Sequence, residues 1–185
     1  STEAGERNIE ATELEIKKRL GEFLYAEQDV PIETVVLQML GKNKQTLAVA
    51  ESCTGGLLSD LITTIPGSSQ SFLGGIICYS NALKHKLLGV PMDILECEGA
   101  PGAVSSETAV ILAEQLIVKT GSDFGISVTG VAGPSPSEGK PVGLVYVGLA
   151  QRNRATEVFT LQLSGNREFI KQRAAKRALY QLWKQ

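Results

Sequence analysis

The chain has 185 residues, of which 43% are hydrophobic and 21% charged, and its formal net charge is -2 at pH 7. This size and composition predict one domain with a substantial core. The near-neutral charge argues against nucleic acid as a main partner, because proteins that bind it usually carry a basic face. No apolar run approaches membrane-spanning length, and the N-terminus lacks the regions of a signal peptide. We therefore expect a cytoplasmic protein with no membrane partner.

The cysteine and histidine content limits the metal chemistry. Cys53, Cys78 and Cys97 are the three cysteines, and their spacing matches no zinc finger or zinc ribbon. An odd number of cysteines indicates free thiols in a reducing compartment. The single histidine, His85, removes most histidine-based metal sites and allows a Ser-His-Asp arrangement only if it is built on that residue. We expect no metal and no cofactor.

The N-terminal part of the chain is expected to be helical after a short polar segment. Residues 1–8 are polar and predicted to be poorly ordered. Apolar residues at helical spacing predict an amphipathic helix over residues 9–24, and residues 26–30 are predicted to be a linker. Pro31 lies where a helix start is favoured, and Gly41 is expected to end the helix that follows.

Helices and strands then alternate along the chain, which predicts a three-layer α/β/α sandwich with a mixed, mostly parallel sheet. The predicted helices, with their capping residues, are 32–40, 54–65, 81–88, 106–119 and 166–183. The predicted strands are 46–50, 73–79, 124–129, 144–149 and 156–163. Ser106 and Asn166 are predicted to cap the last two helices, and residues 91–104 to form a loop. The last two strands are close in sequence and should form an antiparallel hairpin.

The segment A-E-S-C-T-G-G, residues 50–56, joins the first predicted strand to a helix. Unpaired backbone N–H groups at such a turn favour a phosphate or a developing oxyanion. A hydroxyl or thiol at the same turn is a candidate nucleophile. The structural alternative carries about equal weight, because Ser and Thr are common N-cap residues and glycines let a helix pack closely on a strand.

A tyrosine and a lysine follow the second predicted strand. Tyr79 lies at the strand end, and Lys84 lies one turn into the next helix. Desolvation there would lower the pKa of Lys84 and let it act as a base toward a serine hydroxyl, with Tyr79 positioning or relaying the proton. The alternative is that Lys84 lies on the solvated face, as most lysines do. His85 points about 100° away around the helix, so both side chains should not face Ser52.

Two further segments are candidates for binding an anion. Residues 129–134 form a glycine-rich turn whose backbone could approach a phosphate or a sugar, although such turns are common. Arg167 opens the last helix and would suit a phosphate or carboxylate. From the sequence alone, a surface arginine is the more common interpretation.

Four motifs in order resemble the CinA C-terminal domain family, which includes the nicotinamide mononucleotide deamidases called PncC. They are A-E-S-C-T-G-G at 50–56, Y-S-N with Lys84 at 79–84, G-V-A-G-P at 130–134 and K-P-V-G at 140–143. The resemblance covers about Ile32 to the C-terminus. Residues 9–24 also resemble the segment that precedes this domain in full-length CinA proteins. The resemblance therefore divides the chain into an N-terminal helical extension or linker, residues 1–30, and an amidohydrolase domain, residues 31–185, and it leaves open whether the extension is the end of an upstream domain.

The resemblance implies hydrolysis of nicotinamide mononucleotide to nicotinate mononucleotide and ammonia, with Ser52 attacking the carboxamide, Lys84 taking the hydroxyl proton and Tyr79 assisting. Backbone N–H groups of residues 53–55 would hold the oxyanion. The implied partner is a small nucleotide. Whether the chain also forms a homo-oligomer is left open. The residues expected to bind the substrate are Cys53, Thr54, Gly55, Gly56, Asn81, Thr129, Gly130, Gly133 and Arg167.

The loop after Pro134 departs from the family pattern, which usually continues with further glycines. Here Pro136 stiffens the loop, and Glu138 adds a negative charge near the expected phosphate site. The departure motivates a second hypothesis, in which the domain binds a nucleotide without catalysis. A third hypothesis is a cysteine amidase that uses Cys53, which predicts that thiol alkylation abolishes activity.

Overall fold

A computed structural model describes the backbone of residues 3–185 and the side chains of residues 8–185. The strands are β1 (Leu47–Glu51), β2 (Phe72–Ile77), β3 (Phe124–Gly130), β4 (Leu144–Gln151) and β5 (Glu157–Gln162). The helices are α1 (Glu3–Leu20), α2 (Ile32–Lys42), α3 (Leu57–Thr63), α4 (Asn81–Leu88), α5 (Met92–Leu95), α6 (Ser106–Thr120) and α7 (Arg167–Trp183). Short 3-10 turns lie at Gly21–Phe23 and Ser68–Gln70.

The five strands form one sheet in the order β2-β1-β3-β4-β5. Strand β1 pairs in parallel with β2 and β3, whereas β4 is antiparallel to both β3 and β5. The predicted α/β/α sandwich with a mixed sheet is confirmed, and so is the β4–β5 hairpin. Because β1, β2 and β3 run in the same direction, their carboxyl ends meet at one edge of the sheet.

Strand β1 lies at the centre of the core and is buried on both faces. Leu47 and Val49 belong to the apolar cluster that contains residues of α2, α3 and α7. Ala48 and Ala50 belong to a second cluster, which contains residues of α4, α5 and α6. The alternation follows from the two-residue period of a strand, and it leaves β1 with no solvent-exposed face.

The N-terminal predictions need three corrections. Residues 3–8 were expected to be poorly ordered but belong to α1, while residues 1 and 2 lie outside the described part of the chain. The first helix ends at Leu20, and a 3-10 turn follows it. Gly41 does not end α2, because the helix continues to Lys42. Helix α1 is rich in charged residues, and no helix in the described part is long and apolar enough to cross a membrane.

Helix boundaries elsewhere differ from the predictions for local reasons. Helix α3 begins three residues later than predicted, because Gly56 adopts a left-handed conformation with φ of 100° at its N-cap. Ser105, and not Ser106, caps α6 through a 3.1 Å bond from the Thr108 N–H to its hydroxyl. The predicted loop 91–104 contains the four-residue helix α5. The predicted cap at Asn166 is confirmed.

The Glu51 side chain organises the turn between β1 and α3. It is fully buried, and its two oxygens accept the N–H groups of Gly56, Leu58 and Ser59 at 2.8–3.0 Å. The Ser59 hydroxyl donates a fourth bond of 2.6 Å. The first N–H groups of a helix have no intrahelical acceptor, so this carboxylate both caps α3 and closes the turn that carries Ser52.

Glu51→Ala should lower the free energy of unfolding by about 3 kcal/mol, because several buried N–H groups lose a charged acceptor at once. The matched control is Ser59→Ala, which removes one of the four bonds and should cost about 1 kcal/mol. Urea denaturation followed by circular dichroism measures both values. Equal losses in the two variants would contradict this role of Glu51.

Candidate active site

A pocket of about 220 Å³ lies at the carboxyl edge of β1, β2 and β3. Eight of the twelve residues proposed from the sequence line it, namely Ser52, Cys53, Tyr79, Asn81, Lys84, Thr129, Gly130 and Arg167. The other four are not part of the lining. Thr54, Gly55 and Gly56 continue the turn toward α3, and Gly133 contacts the site through its carbonyl group.

Lys84 and Ser52 are in direct contact inside this pocket. The Lys84 Nζ donates a 3.0 Å hydrogen bond to the Ser52 Oγ, and the two residues are only 2% and 7% exposed. Lys84 also lies 3.4 Å from the carbonyl oxygen of Tyr79. The Ser80 hydroxyl caps α4 by accepting the Leu83 N–H, which starts the helix so that Lys84 points inward one turn later.

Burial changes the protonation of Lys84. Desolvation lowers the pKa of its amine, and the nearby Glu138 carboxylate opposes part of this effect. A larger fraction of this amine is therefore neutral near pH 7 than for a solvated lysine. A neutral amine can accept a proton from a serine hydroxyl, which an ammonium cannot.

Cys53 and His85 do not form a nucleophile–base pair. Cys53 is buried, and burial raises the pKa of its thiol to about 12, so the thiol stays protonated near neutral pH. The His85 Nδ1 lies 2.9 Å from the carbonyl oxygen of Val90, which ties down the end of α4. This geometry disfavours the cysteine amidase hypothesis.

The turn leaves two backbone N–H groups for an oxyanion. The Gly55 N–H donates to the Ser52 carbonyl at 3.1 Å, and the Gly56 N–H donates to Glu51. Within the described residues, the N–H groups of Cys53 and Thr54 donate to no acceptor. Of the three donors expected from the sequence, these two are therefore the candidates, of which Cys53 lines the pocket and Thr54 is the next residue of the turn, buried and outside the lining.

Arg167 connects three parts of the site. Its Nη2 donates a 3.0 Å bond to the Tyr79 hydroxyl, and its Nη1 donates a 2.6 Å bond to the Gly133 carbonyl. The guanidinium thus joins the start of α7 to the segments that follow β2 and β3. Tyr79 contacts Lys84 through its carbonyl group, whereas its hydroxyl is engaged with Arg167.

Sequence reasoning missed the wall formed by Ala103 and Val104 and did not assign Ser137 to the site. The Thr129 hydroxyl donates a 2.6 Å bond to the Ala103 carbonyl, which holds the loop between α5 and α6 against the end of β3. No sequence motif in that loop predicts the contact, because the contact joins two residues that are 26 positions apart. Glu138 also lines the pocket, where the sequence indicated only a nearby charge.

A larger and more open cavity of about 670 Å³ lies between the Gly21–Phe23 turn and α7. Its lining includes the aromatic rings of Phe23 and Tyr180 and the cationic side chains of Arg173 and Lys176. No serine–lysine contact is found there among the described side chains. The chemistry therefore points to the smaller pocket.

Residues 29–185 match the family model of the CinA C-terminal domain. The chain belongs to the CinA C-terminal domain family. A competence-damage inducible protein of Moorella thermoacetica is 45% identical over 185 residues, and a CinA-like protein of Dictyoglomus thermophilum is 44% identical over 170 residues. These alignments cover 100% and 91% of this chain but 44% and 40% of the relatives, so the chain spans less than half of their length.

Solved structures of the CinA superfamily share the fold. The competence/damage inducible protein CihA from Agrobacterium tumefaciens has a TM-score of 0.78 and 32% identity. A competence damage-inducible protein A from Klebsiella pneumoniae has a TM-score of 0.79 and 27% identity. Each comparison covers 83% of this chain and 94% of the other.

Lys84→Met in this CinA domain should flatten the pH dependence of stability. The native pKa of Lys84 lies below the value near 10.5 expected in the unfolded chain, so the native state binds fewer protons between the two values. The free energy of unfolding contributed by Lys84 therefore rises with pH across that interval, and the buried charge destabilises the fold below it.

Urea denaturation of both proteins between pH 6 and pH 10 tests this expectation. Lys86→Met is the matched control, because Lys86 is exposed on the same helix. The control should follow the wild-type curve. Parallel curves for wild type and Lys84→Met would contradict the lowered pKa.

Proposed function

We propose that this CinA domain is an amidohydrolase that converts nicotinamide mononucleotide to nicotinate mononucleotide and ammonia. The observation that carries the proposal is the 3.0 Å contact between Lys84 Nζ and Ser52 Oγ in a buried pocket. A nucleophile with a base at hydrogen-bond distance is the general arrangement of covalent hydrolases. The substrate is taken from the PncC-type members that the motifs resemble.

In the first half of the reaction, neutral Lys84 takes the proton of the Ser52 hydroxyl while the Oγ attacks the carboxamide carbon. The carbonyl oxygen becomes an oxyanion, which the N–H groups of Cys53 and Thr54 stabilise. The Lys84 ammonium then protonates the amide nitrogen, and the C–N bond breaks to release ammonia. Losing one oxyanion donor typically lowers turnover by about 10²–10³.

In the second half, the ester formed on Ser52 is hydrolysed. Lys84, neutral again after giving its proton to ammonia, takes a proton from water as the water attacks the ester carbon. Collapse of the second tetrahedral intermediate breaks the bond to Oγ, and Lys84 returns the proton to Ser52. One water is consumed, and one carboxylate and one ammonium ion are formed, because the released ammonia takes up the proton that the carboxylic acid loses.

Arg167 is our candidate for the substrate phosphate. Its guanidinium lines the same pocket as Ser52 and is already oriented by the Tyr79 hydroxyl and the Gly133 carbonyl. A fixed, planar guanidinium suits the bidentate binding of a phosphate. Tyr79 then helps to position Arg167, and its assistance to proton transfer stays a prediction.

Ammonia release from nicotinamide mononucleotide tests the proposal directly. Wild type should be active, and Ser52→Ala and Lys84→Ala should each lose at least about 10³-fold in kcat, because each removes a group that acts as part of one unit. Cys53→Ala and Lys86→Ala should keep most of the activity. Circular dichroism confirms that each variant is folded.

Two results would reject the proposal. A folded wild type that binds the nucleotide without releasing ammonia would favour the non-catalytic binding domain. Activity that survives Ser52→Ala and disappears in Cys53→Ala would favour the cysteine amidase.

Arg167→Ala should raise KM for nicotinamide mononucleotide at least about tenfold, because a charge-assisted bond to the phosphate is lost. It should change KM much less for nicotinamide riboside, which has no phosphate. Arg173→Ala is the matched control, since Arg173 is exposed six residues further along the same helix. Equal changes in KM for both substrates would mean that Arg167 acts only by holding Tyr79 and Gly133 in place.

A further inference from the structure

Glu138 occupies an unusual backbone position beside the active-site pocket. The N–H and carbonyl groups of Ser137 and Lys140 exchange hydrogen bonds of 3.2 and 2.8 Å, which closes a two-residue turn. Its central residues, Glu138 and Gly139, have φ of 53° and 68°. Positive φ at both positions favours Asn, Asp or Gly, and another residue there costs on the order of 1 kcal/mol. A glutamate in this unfavourable backbone conformation is a candidate for a role that depends on its side chain.

The Glu138 side chain reaches the pocket that contains Ser52 and Lys84. Its Oε2 accepts the Val104 N–H at 3.2 Å and lies 3.6 Å from the Lys140 Nζ. These contacts hold one oxygen in place, while a carboxylate has about four positions that can accept a hydrogen bond. The side chain is one-third exposed, so the remaining positions are open to an occupant of the pocket.

Glu138 and Arg167 bring opposite charges to the same pocket without neutralising each other. Arg167 donates to the Tyr79 hydroxyl and the Gly133 carbonyl, whereas Glu138 contacts Val104 and Lys140. No ion pair joins the two side chains in the described part of the chain. A pocket with separate positive and negative groups is complementary to a ligand that carries both charges.

We propose that Glu138 is a specificity-determining residue that selects a cationic pyridinium ring over a neutral ring. This inference rests on the proposed function and deepens it. Nicotinamide mononucleotide carries a delocalised positive charge on its pyridinium ring and a negative charge on its phosphate. The carboxylate of Glu138 attracts the ring while Arg167 takes the phosphate. The ring of free nicotinamide is uncharged, so it lacks this attraction to Glu138 and free nicotinamide is expected to be a poor ligand.

The selectivity can be measured by binding, without turnover. In a Ser52→Ala background, titration calorimetry compares nicotinamide mononucleotide with its reduced form, which keeps the phosphate and the carboxamide but has a neutral dihydropyridine ring. We expect the oxidised form to bind on the order of tenfold more tightly. Adding Glu138→Gln should remove most of this preference while leaving an acceptor for the Val104 N–H.

A second pair of variants separates charge from size. Glu138→Asp and Glu138→Asn have side chains of equal length, and both residues tolerate positive φ. The aspartate variant should keep more of the ring preference than the asparagine variant. Equal preference in the two, together with an unchanged preference in Glu138→Gln, would overturn the role of Glu138.

The failure of this inference differs from the failure of the proposed function. Ammonia release by wild type with an unchanged ring preference in Glu138→Gln would reject only the role of Glu138. Ring preference that depends on Glu138, without ammonia release by wild type, would reject only the amidase. A folded protein that binds neither nucleotide would reject both.

Discussion

The four hydrogen bonds accepted by the Glu51 carboxylate are the constraint on which the site depends. Glu51 is the last residue of β1, which pairs with β2 on one side and β3 on the other, so its backbone is fixed and its side chain then determines where α3 begins. Ser52 lies in the turn between β1 and α3. The Glu51 carboxylate fixes the α3 end of this turn, and this keeps Ser52 in the pocket. The same bonds occupy the N–H group of Gly56 and leave those of Cys53 and Thr54 for other partners. Glu51, which lies outside the pocket, thus determines the position of the candidate nucleophile Ser52 and which neighbouring N–H groups are left without an acceptor.

The buried Lys84 places a second demand on the fold. A lysine at 2% exposure has lost its hydration, and the described structure gives it only the Ser52 hydroxyl and the Tyr79 carbonyl as close hydrogen-bond partners. An ammonium in such surroundings is costly, whereas a neutral amine is tolerated more easily. The apolar clusters on the two faces of β1 supply the stability that permits this burial. The feature that weakens the fold is therefore the one that makes Lys84 a candidate base.

The sequence predicted those features that depend on neighbouring residues. The apolar runs located all five strands, and the spacing from Asn81 to Leu88 gave α4 with both of its ends. Helix α3 was placed too early because the Glu51 bonds, which no local propensity reveals, decide where it starts. Ser52 and Lys84 were found through a motif, although their contact spans 32 positions. The wall at Ala103 could not be found, since only the folded sheet brings it to Thr129.

Ser52 and Lys84 are constrained by the fold in a different way from Glu138. Ser52 follows the buried strand β1 directly, and Lys84 lies on α4, which follows the edge strand β2, so a change in their geometry disturbs elements that are paired or packed in the sheet. Glu138 lies on a two-residue turn. This turn contacts the rest of the domain through the bond from the Val104 N–H to Glu138 and the bond from Lys140 to the Pro101 carbonyl. A substitution at such a turn should change the stability of the core little. In the proposed function, the rigid part performs the hydrolysis and the turn chooses which amide enters. Under the same proposal, the loop at residues 135–139 would set selectivity, while the Ser52 and Lys84 segments would carry out the reaction.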